Sequence, residues 1–311
     1  MGKNIDNKEW LVIVNPNAGN KKGRRDWDEI SKLLDASGFK YEARFTVRRY
    51  HATELSSEGV SLGYRRIIII GGDGTMNEVV NGIFSQDLCP SVEVIIGMIT
   101  VGTGNDWGKM YNIPKDYKKA IDAIKAGKTR LQDIGRAVYS INGRTEQRYF
   151  ANIAGLGFDA SVVERTNFQK SRGKSSYYSA LLKSLSSYRT TNTRVKVNDK
   201  STENDTFSIS IGIGKFSGGG MMQTPEALID DGLFDITVIK SMTKIEIIRS
   251  LKKLYDGSIL DHPKIISLKG ERIRIESDPE INLEVDGESL GNSPIDFNII
   301  PKSLCAIYAS T

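Results

Sequence analysis

Residues 67–83 read IIIIGGDGTMNEVVNGI, and the junction after Ile70 decides the fold. Four β-branched residues run straight into two glycines, an aspartate, a third glycine and a threonine. A short, wholly apolar, β-branched run is what a strand covered on both faces looks like. Ile67–Ile70 is therefore read as a buried parallel strand, Gly71–Thr75 as a phosphate-handling turn and Met76–Phe84 as the start of the next helix. Gly71, Gly72 and Gly74 allow backbone angles and close approaches that a Cβ forbids. Thr75 and Asn77 stand where an N-cap stands, and the unpaired amides of a first helical turn favour an anion. Asp73 is odd there, because a carboxylate repels a phosphate unless a cation or water lies between them. A strand, a glycine turn and an acid together suggest a nucleotide bound with Mg²⁺. The same spacing also fits a tight strand-to-helix turn capped by Asp73.

Outward from this junction the first half alternates. A strand at Trp10–Val14 leads into the loop NPNAGNKKGRR and a helix at Trp27–Ala36. A strand at Tyr41–Thr46, a helix at Ala52–Gly59, a strand at Val94–Gly97, the loop MITVGTGNDWGKM and a helix at Tyr117–Ala126 continue the pattern. Such alternation predicts a three-layer α/β nucleotide-binding domain with a largely parallel sheet, placed at residues 1–134. Ligands bind beyond the carboxyl ends of the strands in these sheets. The loops after Val14, Ile70 and Gly97 all lie there, so they should converge on one edge. From about Asp133 the texture changes to alternating runs at Tyr149–Ile153, Arg194–Val197, Phe207–Ile213, Phe234–Ile239, Arg272–Glu276 and Ile281–Val285. These predict an antiparallel β-sandwich over 135–311. Helices interrupt it at SSYYSALLKSLSSYR, whose apolar stripe Tyr177, Leu181, Leu185 and Tyr188 reads as core packing ahead of a membrane-binding face, and near Lys244–Tyr255.

With 311 residues the chain can build two cores, and a charged fraction of 26% is that of a folded protein. No apolar run approaches the ~20 residues that span a bilayer. The N-terminal stretch carries no signal-peptide pattern. Cys89 and Cys305 lie far apart without a CxxC spacing, which fits a reduced, cytoplasmic setting. The net charge of +5 is modest. Basic residues cluster at Lys21, Lys22, Arg24 and Arg25 and again at Lys170, Arg172, Lys174 and Lys183. Such clusters meet phosphates or an anionic membrane surface, or are simply solvated loops. No RNA-binding aromatic signature or zinc-finger spacing supports a nucleic-acid partner.

Six stretches then stand together in order: NPNAG at 15–19, GGDGTMNEVVNGI at 71–83, GTGND at 102–106, GLGFDA at 155–160, DDGLFDI at 230–236 and VDGE at 285–288. Together they resemble the diacylglycerol kinase catalytic family, specifically its soluble bacterial lipid kinases related to sphingosine and ceramide kinases. The likeness runs from Trp10 to about Leu304. It implies an ATP-dependent transfer of the γ-phosphoryl group to a lipid hydroxyl, with diacylglycerol giving phosphatidic acid. ATP would lie in the cleft between the two domains. Asn15, Pro16, Asn17, Ala18 and Gly19 would contact the nucleotide, as would Gly72, Asp73, Gly74, Thr75, Met76, Asn77 and Glu78. Thr46, Thr103, Asn105, Asp106 and Lys174 would add further contacts.

For the proton of the acceptor hydroxyl, VDGE offers two carboxylates, although Asp286-Gly287 alone reads as a type I′ hairpin turn. The resemblance favours Glu288 as proton acceptor with Asp286 beside it, and Asp73 as a third catalytic acid. It also implies a structural Mg²⁺ on the DDG loop, held by the carbonyls of Leu228 and Leu233 and by Asp231, with Asp133 and Asp73 joining through water. Taken bare, Asp230 and Asp231 are a solvated turn pair, and Asp133 an ordinary turn residue. Two positions depart from the family pattern: Asn20 replaces a basic residue after NPxxG, and Lys109 replaces an arginine, a point charge for a bidentate fork. The protein would work at a membrane surface, cytoplasmic and peripherally attached, and a sheet-edge homodimer is compatible. Two other readings stay open: a kinase of a soluble substrate such as NAD, which shares the GGDG loop, and a nucleotide-binding regulator without turnover. With only His51 and His262 in the chain, neither in a nucleophile motif, a Ser-His-Asp mechanism is disfavoured.

Overall fold

The computed structural model describes residues 9–168, 184–185 and 188–310. The chain divides into two compact units, Met1–Gln132 with Lys302–Thr311, and Asp133–Pro301. The domain expected at 135–311 therefore gives up its last residues to the first unit. The reason is pairing: Cys305 and Ala306 run parallel beside Ile95 and Ile96, and Ile307 enters the first unit's core.

In the first unit, β1 (Trp10–Val14), α1 (Ala18–Arg25), α2 (Trp27–Ala36), β2 (Tyr41–Phe45), α3 (His51–Ser61), β3 (Arg66–Gly71), α4 (Asp73–Phe84), β4 (Ile95–Thr100), α5 (Asp106–Met110) and α6 (Tyr117–Ala126) follow in order. The parallel sheet runs β2-β1-β3-β4. Ile67–Ile70 is wholly buried, as a strand covered on both faces must be. Val12, Val14, Ile68 and Ile70 pack with Ile30 and Leu34 of α2 and with Ile121 and Ile124 of α6. On the other face α3 comes so close that a Cβ on Gly59 would meet the Leu11 side chain at 2.3 Å. Helices on both faces make the three layers.

One local expectation is corrected here. The turn read at Gly71–Thr75 is shorter, and α4 already begins at Asp73, with the Met76 amide bonded to the Gly72 carbonyl at 3.0 Å. Gly72, not Thr75 or Asn77, holds the N-cap position, with an extended backbone. None of Gly71, Gly72 and Gly74 has a positive φ. Gly71 and Gly72 serve close approach, not unusual angles.

The second unit contains most of β5 (Thr129–Ile141), then β6 (Arg144–Phe150), β7 (Ile153–Gly157), α7 (Phe158–Phe168), β8 (Thr191–Val197), β9 (Lys200–Gly212), the short pair β10 (Phe216–Ser217) and β11 (Met221–Met222), β12 (Phe234–Lys240), α8 (Lys244–Asp256), β13 (Ile265–Gly270), β14 (Arg272–Asp278), β15 (Asn282–Val285) and most of β16 (Glu288–Ile307). Along β8, alternate residues from Thr191 to Val197 are buried and those between are exposed, the signature of a half-covered strand. The ladders are antiparallel and pass from β9 through β7, β15, β16, β14 and β8 back to β9, so the two faces of the sandwich join. Its core gathers Phe150, Leu156, Ile211, Phe234, Leu283 and Phe297 among others. The run expected at Tyr149–Ile153 is not one strand, since β6 ends at Phe150 and β7 starts at Ile153. Of the apolar stripe, Tyr177 and Leu181 lie outside the described residues, while Leu185 and Tyr188 pack with Phe158 and Phe207 as core side chains. Among the described residues, no helix is long and apolar enough to cross a membrane.

The close packing of α4 on α3 gives a prediction. A Cβ on Gly82 of α4 would lie 1.9 Å from Ser56 Oγ and 2.3 Å from the Thr53 carbonyl of α3. Gly82→Ala should lower stability to urea by about 1–3 kcal/mol, outweighing the ~1 kcal/mol that alanine adds in a helix interior. An unchanged or raised midpoint would show that α3 and α4 can separate at no cost.

Candidate functional site

The first loop leaves β1 at Val14 and is sewn at once to the strand beside it. The Asn15 amide donates to the Ile70 carbonyl at 2.9 Å, and Asn15 Nδ2 donates to Thr75 Oγ1 at 2.9 Å. Asn15 Oδ1 accepts from the Asn17 amide at 3.0 Å. Gly19, Asn20 and Lys21 then take left-handed angles in succession. Asparagine enters that region more readily than most side chains, which gives the departure at Asn20 a backbone cause. A Cβ on Gly19 would fall 1.8 Å from the Val101 carbonyl oxygen, so the first loop touches the third through bare backbone.

The second and third loops touch in the same way. The amides of Val101 and Gly102 both donate to the Gly71 carbonyl, at 2.9 and 3.2 Å. A Cβ on Gly102 would lie 2.6 Å from Gly72 Cα, and one on Gly72 would lie 3.0 Å from Gly102 Cα. Asp73 Oδ1 accepts the Trp107 amide at 3.0 Å and so caps α5 from outside that helix. Asn105, left-handed at φ 52, donates from Nδ2 to the Gly102 carbonyl at 2.8 Å. Its Oδ1 is buried without a hydrogen-bond partner, an acceptor that a donor on a bound ligand or water would satisfy. The three loops thus converge at the carboxyl ends of β1, β3 and β4, as the alternation predicts.

The expected nucleotide contacts separate into two groups. Gly72, Asp73 and Gly74 are partly exposed and open the twelve-residue helix α4, where backbone amides and the helix dipole favour an anion. Asn15, Pro16 and Gly19 are also partly exposed, and Asn17 and Thr103 are exposed. Ala18, Thr46, Thr75, Met76, Asn77 and Asp106 are buried. Glu78 is occupied elsewhere, since its two carboxylate oxygens accept the Tyr50 and Ala52 amides at 3.0 Å each and cap α3. Lys109 Nζ pairs with Asp106 Oδ1 at 2.5 Å, which a point charge does as well as a fork. Lys174 lies outside the described residues.

In the second unit Val285 pairs with Glu288 across a two-residue turn. Asp286 (φ 48) and Gly287 (φ 85) are both left-handed, as a type I′ hairpin requires. The turn reading and a further role coexist, because the Asp286 carboxylate also reaches across to another element. Oδ2 accepts the Ala151 amide, and Oδ1 accepts those of Asn152 and Ile153, all at 3.1 Å. That clamp is the reason β6 and β7 are separate strands: the chain between them turns its amides to a side chain instead of to a ladder. Glu288 is partly exposed at the start of β16.

Two buried acids beside this turn escape a reading of the sequence. Glu284 faces Gly155 across the β15–β7 ladder, and its Oε2 accepts the Gly287 amide at 2.8 Å. Burial holds its carboxyl well above the usual range, with Asp159, Asp286 and Glu288 adding like charge and the Gly287 bond opposing. Asp159, in the first turn of α7, accepts from Ser208 Oγ and Gln223 Nε2 at 2.9 Å each and from Ser210 Oγ at 3.4 Å. Burial pushes it up to about 6 against those donors. The signal available is a pair: a glycine in GLGFDA opposite an acid in NLEV. Strand alternation hides it by assigning Glu284 to the face away from Leu283.

Around the DDG loop, Asp133 is fully buried and its Oδ2 accepts the Gly232 amide at 2.7 Å. Asp231, exposed, accepts the Leu233 amide at 3.1 Å. Two carboxylates thus bracket consecutive amides of one turn, and the Asp133 amide donates to the Ile229 carbonyl of the same loop at 2.7 Å. This oxygen-only donor set fits a hard cation. Among the described residues, no three His, Cys, Asp or Glu side chains gather into a metal cluster, so carbonyls or water would have to complete any ligand shell.

Comparison with known proteins gives consistent matches. A family model described as the diacylglycerol kinase catalytic domain matches residues 9–137, and one described as the YegS C-terminal NAD kinase beta sandwich-like domain matches residues 152–308. A diacylglycerol kinase of Staphylococcus haemolyticus is 30% identical over 92% of this chain and 84% of its own length. One of Staphylococcus carnosus is 29% identical over 93% and 92%. A crystal structure of a diacylglycerol kinase from Bacillus anthracis superposes with a TM-score of 0.73 at 24% identity, covering 97% of each chain. Yeast NADH kinase complexed with NADH gives 0.56 at 11% identity, over 98% of this chain and 84% of that one, a likeness of fold.

The clamp on residues 151–153 separates the two acids of the hairpin by stability. Asp286→Asn, which keeps a left-handed backbone but sets an amide where a carboxylate took three N–H groups, should cost about 2 kcal/mol or more on urea unfolding. Glu288→Ala should change it by less than about 1 kcal/mol. Equal losses would mean that the clamp adds no stability.

Proposed function

The chain belongs to the diacylglycerol kinase family, and we propose that it is an ATP-dependent lipid kinase that phosphorylates diacylglycerol to phosphatidic acid. The observation that carries the reading is the meeting of three glycine-bearing loops at the start of α4 in the first unit. Backbone amides and the helix dipole there favour an anionic phosphate, and the orphan Asn105 Oδ1 is left to accept from an N–H or O–H of the same ligand or from water.

In this mechanism the partly exposed backbone of residues 15–19 and 72–74 binds and orients the triphosphate, and Thr103 and Asn105 add polar contacts. Asp73 keeps α4 and α5 in register through the Trp107 amide while its second oxygen faces the loop. The second unit supplies the acid–base group. Asp286, committed to three amides, fixes the turn, and Glu288 takes the proton of the acceptor hydroxyl. As the new bond from the lipid oxygen to the γ-phosphorus forms, the bond to the bridging oxygen breaks and ADP leaves with that electron pair. Asp231 and Asp133 with the Leu228 and Leu233 carbonyls would hold Mg²⁺, which when bound supplies positive charge and rigidity to the DDG loop. The acceptor is presented at a membrane surface.

Labelled ATP with mixed micelles of diacylglycerol, ceramide, sphingosine or phosphatidylglycerol, and with NAD in solution, tests the substrate class. Label should enter diacylglycerol; label in NAD alone would replace this reading. Glu288→Ala should lower kcat by about 10²–10⁴-fold while remaining folded, and Asp73→Ala should also lose turnover. Near-normal turnover of the Glu288 variant would move the proton acceptor elsewhere. Separately, Mg²⁺ should raise Tm more in the wild type than in Asp231→Ala, and equal shifts would remove the DDG loop as the metal site.

A further inference from the structure

The hairpin that carries Glu288 rests on a carboxyl group to which the mechanism gives no step. Glu284 is 5% exposed, and its Oε2 accepts the Gly287 amide at 2.8 Å. Its Oε1 fills the space over Gly155, where a Cβ would stand 2.6 Å away and 3.0 Å from Asp159 Cβ. The charged groups facing it are Asp159 of α7 and Asp286 and Glu288 of the turn, all acids. The partners of Asp159 are neutral: Ser208 and Ser210 of β9, and Gln223, whose Oε1 is buried with no hydrogen-bond partner. Among the described residues no cation pairs with either buried acid.

We propose that Glu284 is a positioning residue for phosphoryl transfer, which by accepting the Gly287 amide and occupying the space over Gly155 fixes the turn that presents Glu288. This rests on the reading of Glu288 as the proton acceptor. Two carboxyl groups flanking one glycine in a dry site, with no cation beside them among the described residues, hold at most one negative charge between them at neutral pH. Asp159 receives three side-chain donors and Glu284 a single amide, so the shared charge sits on Asp159, and Glu284, its carboxyl held well up by burial, accepts the amide through an uncharged oxygen. Its ionisation adds a second buried charge beside Asp159, Asp286 and Glu288. Swinging out to water relieves that charge and breaks the bond to Gly287. Because the folded pKa lies above the unfolded one, the stabilisation from this group is complete below the ordinary carboxylate range and is lost as pH rises through the folded value.

The test is a pH series of kcat and KM for ATP in wild type, Glu284→Gln and Glu284→Ala, with Glu288→Ala as reference. Glutamine keeps an acceptor oxygen and cannot ionise. Glu284→Gln should match wild-type kcat at neutral pH and stay flat where the wild type falls on the alkaline side. Glu284→Ala should lose up to about 10²-fold in kcat with KM for ATP unchanged, as a misplaced reacting group does. The same alkaline fall in Glu284→Gln, or wild-type kcat and profile in Glu284→Ala, overturns the proposal. If the alanine variant does not fold, the glutamine profile alone decides. Normal turnover of Glu288→Ala is read separately: it overturns the proton-acceptor assignment itself, at any pH and with Glu284 intact.

Discussion

Backbone pressed on backbone at Gly72 and Gly102 sets the geometry of the first unit. With Gly102 carrying any side chain, the loop after β4 would have to withdraw, since the gap to Gly72 Cα is already 2.6 Å from where a Cβ would be. Withdrawal would break the double donation from Val101 and Gly102 to the Gly71 carbonyl. It would also carry the Trp107 amide away from Asp73 and loosen the start of α5. The first loop takes the same form at Gly19, whose neighbour is the Val101 carbonyl. Glycine is required at these places because backbones meet there. The resulting surface consists of amides and carbonyls held at fixed spacing by strands that are themselves buried, which is how a loop becomes rigid enough to orient a phosphate.

The second unit solves a different problem with the same chemistry. An antiparallel sandwich binds its amides in ladders, and a break in a ladder leaves amides that must bond elsewhere. At residues 151–153 that partner is the Asp286 carboxylate. The left-handed Asp286-Gly287 pair turns the hairpin and aims the carboxylate at the break. The Gly287 amide is in turn received by Glu284. Turn, break and buried acid are therefore one unit, and a change in any of them reaches Glu288, which begins the next strand.

Much of this is legible from the residues. The strands of the first unit declare themselves because a run covered on both faces must be apolar throughout, as Ile67–Ile70 is. Convergence of the three loops follows from connectivity alone. What stays hidden are contacts distant in sequence. Nothing local shows that Glu78 caps α3, or that Asp73 serves α5, because each acid's partner is an amide on another element. The glycines of GGDG suggest unusual backbone angles, whereas close neighbours supply the reason for Gly71 and Gly72. The return of residues 302–311 to the first unit is a pairing fact, invisible to composition. Glu284 breaks the alternation rule, because α7 covers a strand face that the rule leaves to water.

A common thread runs through the motif acids of both units. Asp73, Glu78, Asp133, Asp231, Glu284 and Asp286 each accept a backbone amide, and most of those amides belong to a different element or loop. Where the acid is ionised, the charge-assisted bonds are shorter and roughly twice as strong, and Glu284, held neutral, receives its amide through an uncharged oxygen. Motifs dense in Asp, Glu and Gly therefore satisfy two demands at once: glycine lets backbones approach, and the acid receives the amides that approach leaves unpaired. An acid in such a motif is scaffold before it is catalyst. Chemical roles follow only after its amide partners have been counted, and by that count Asp286 is bound to structure through three amides.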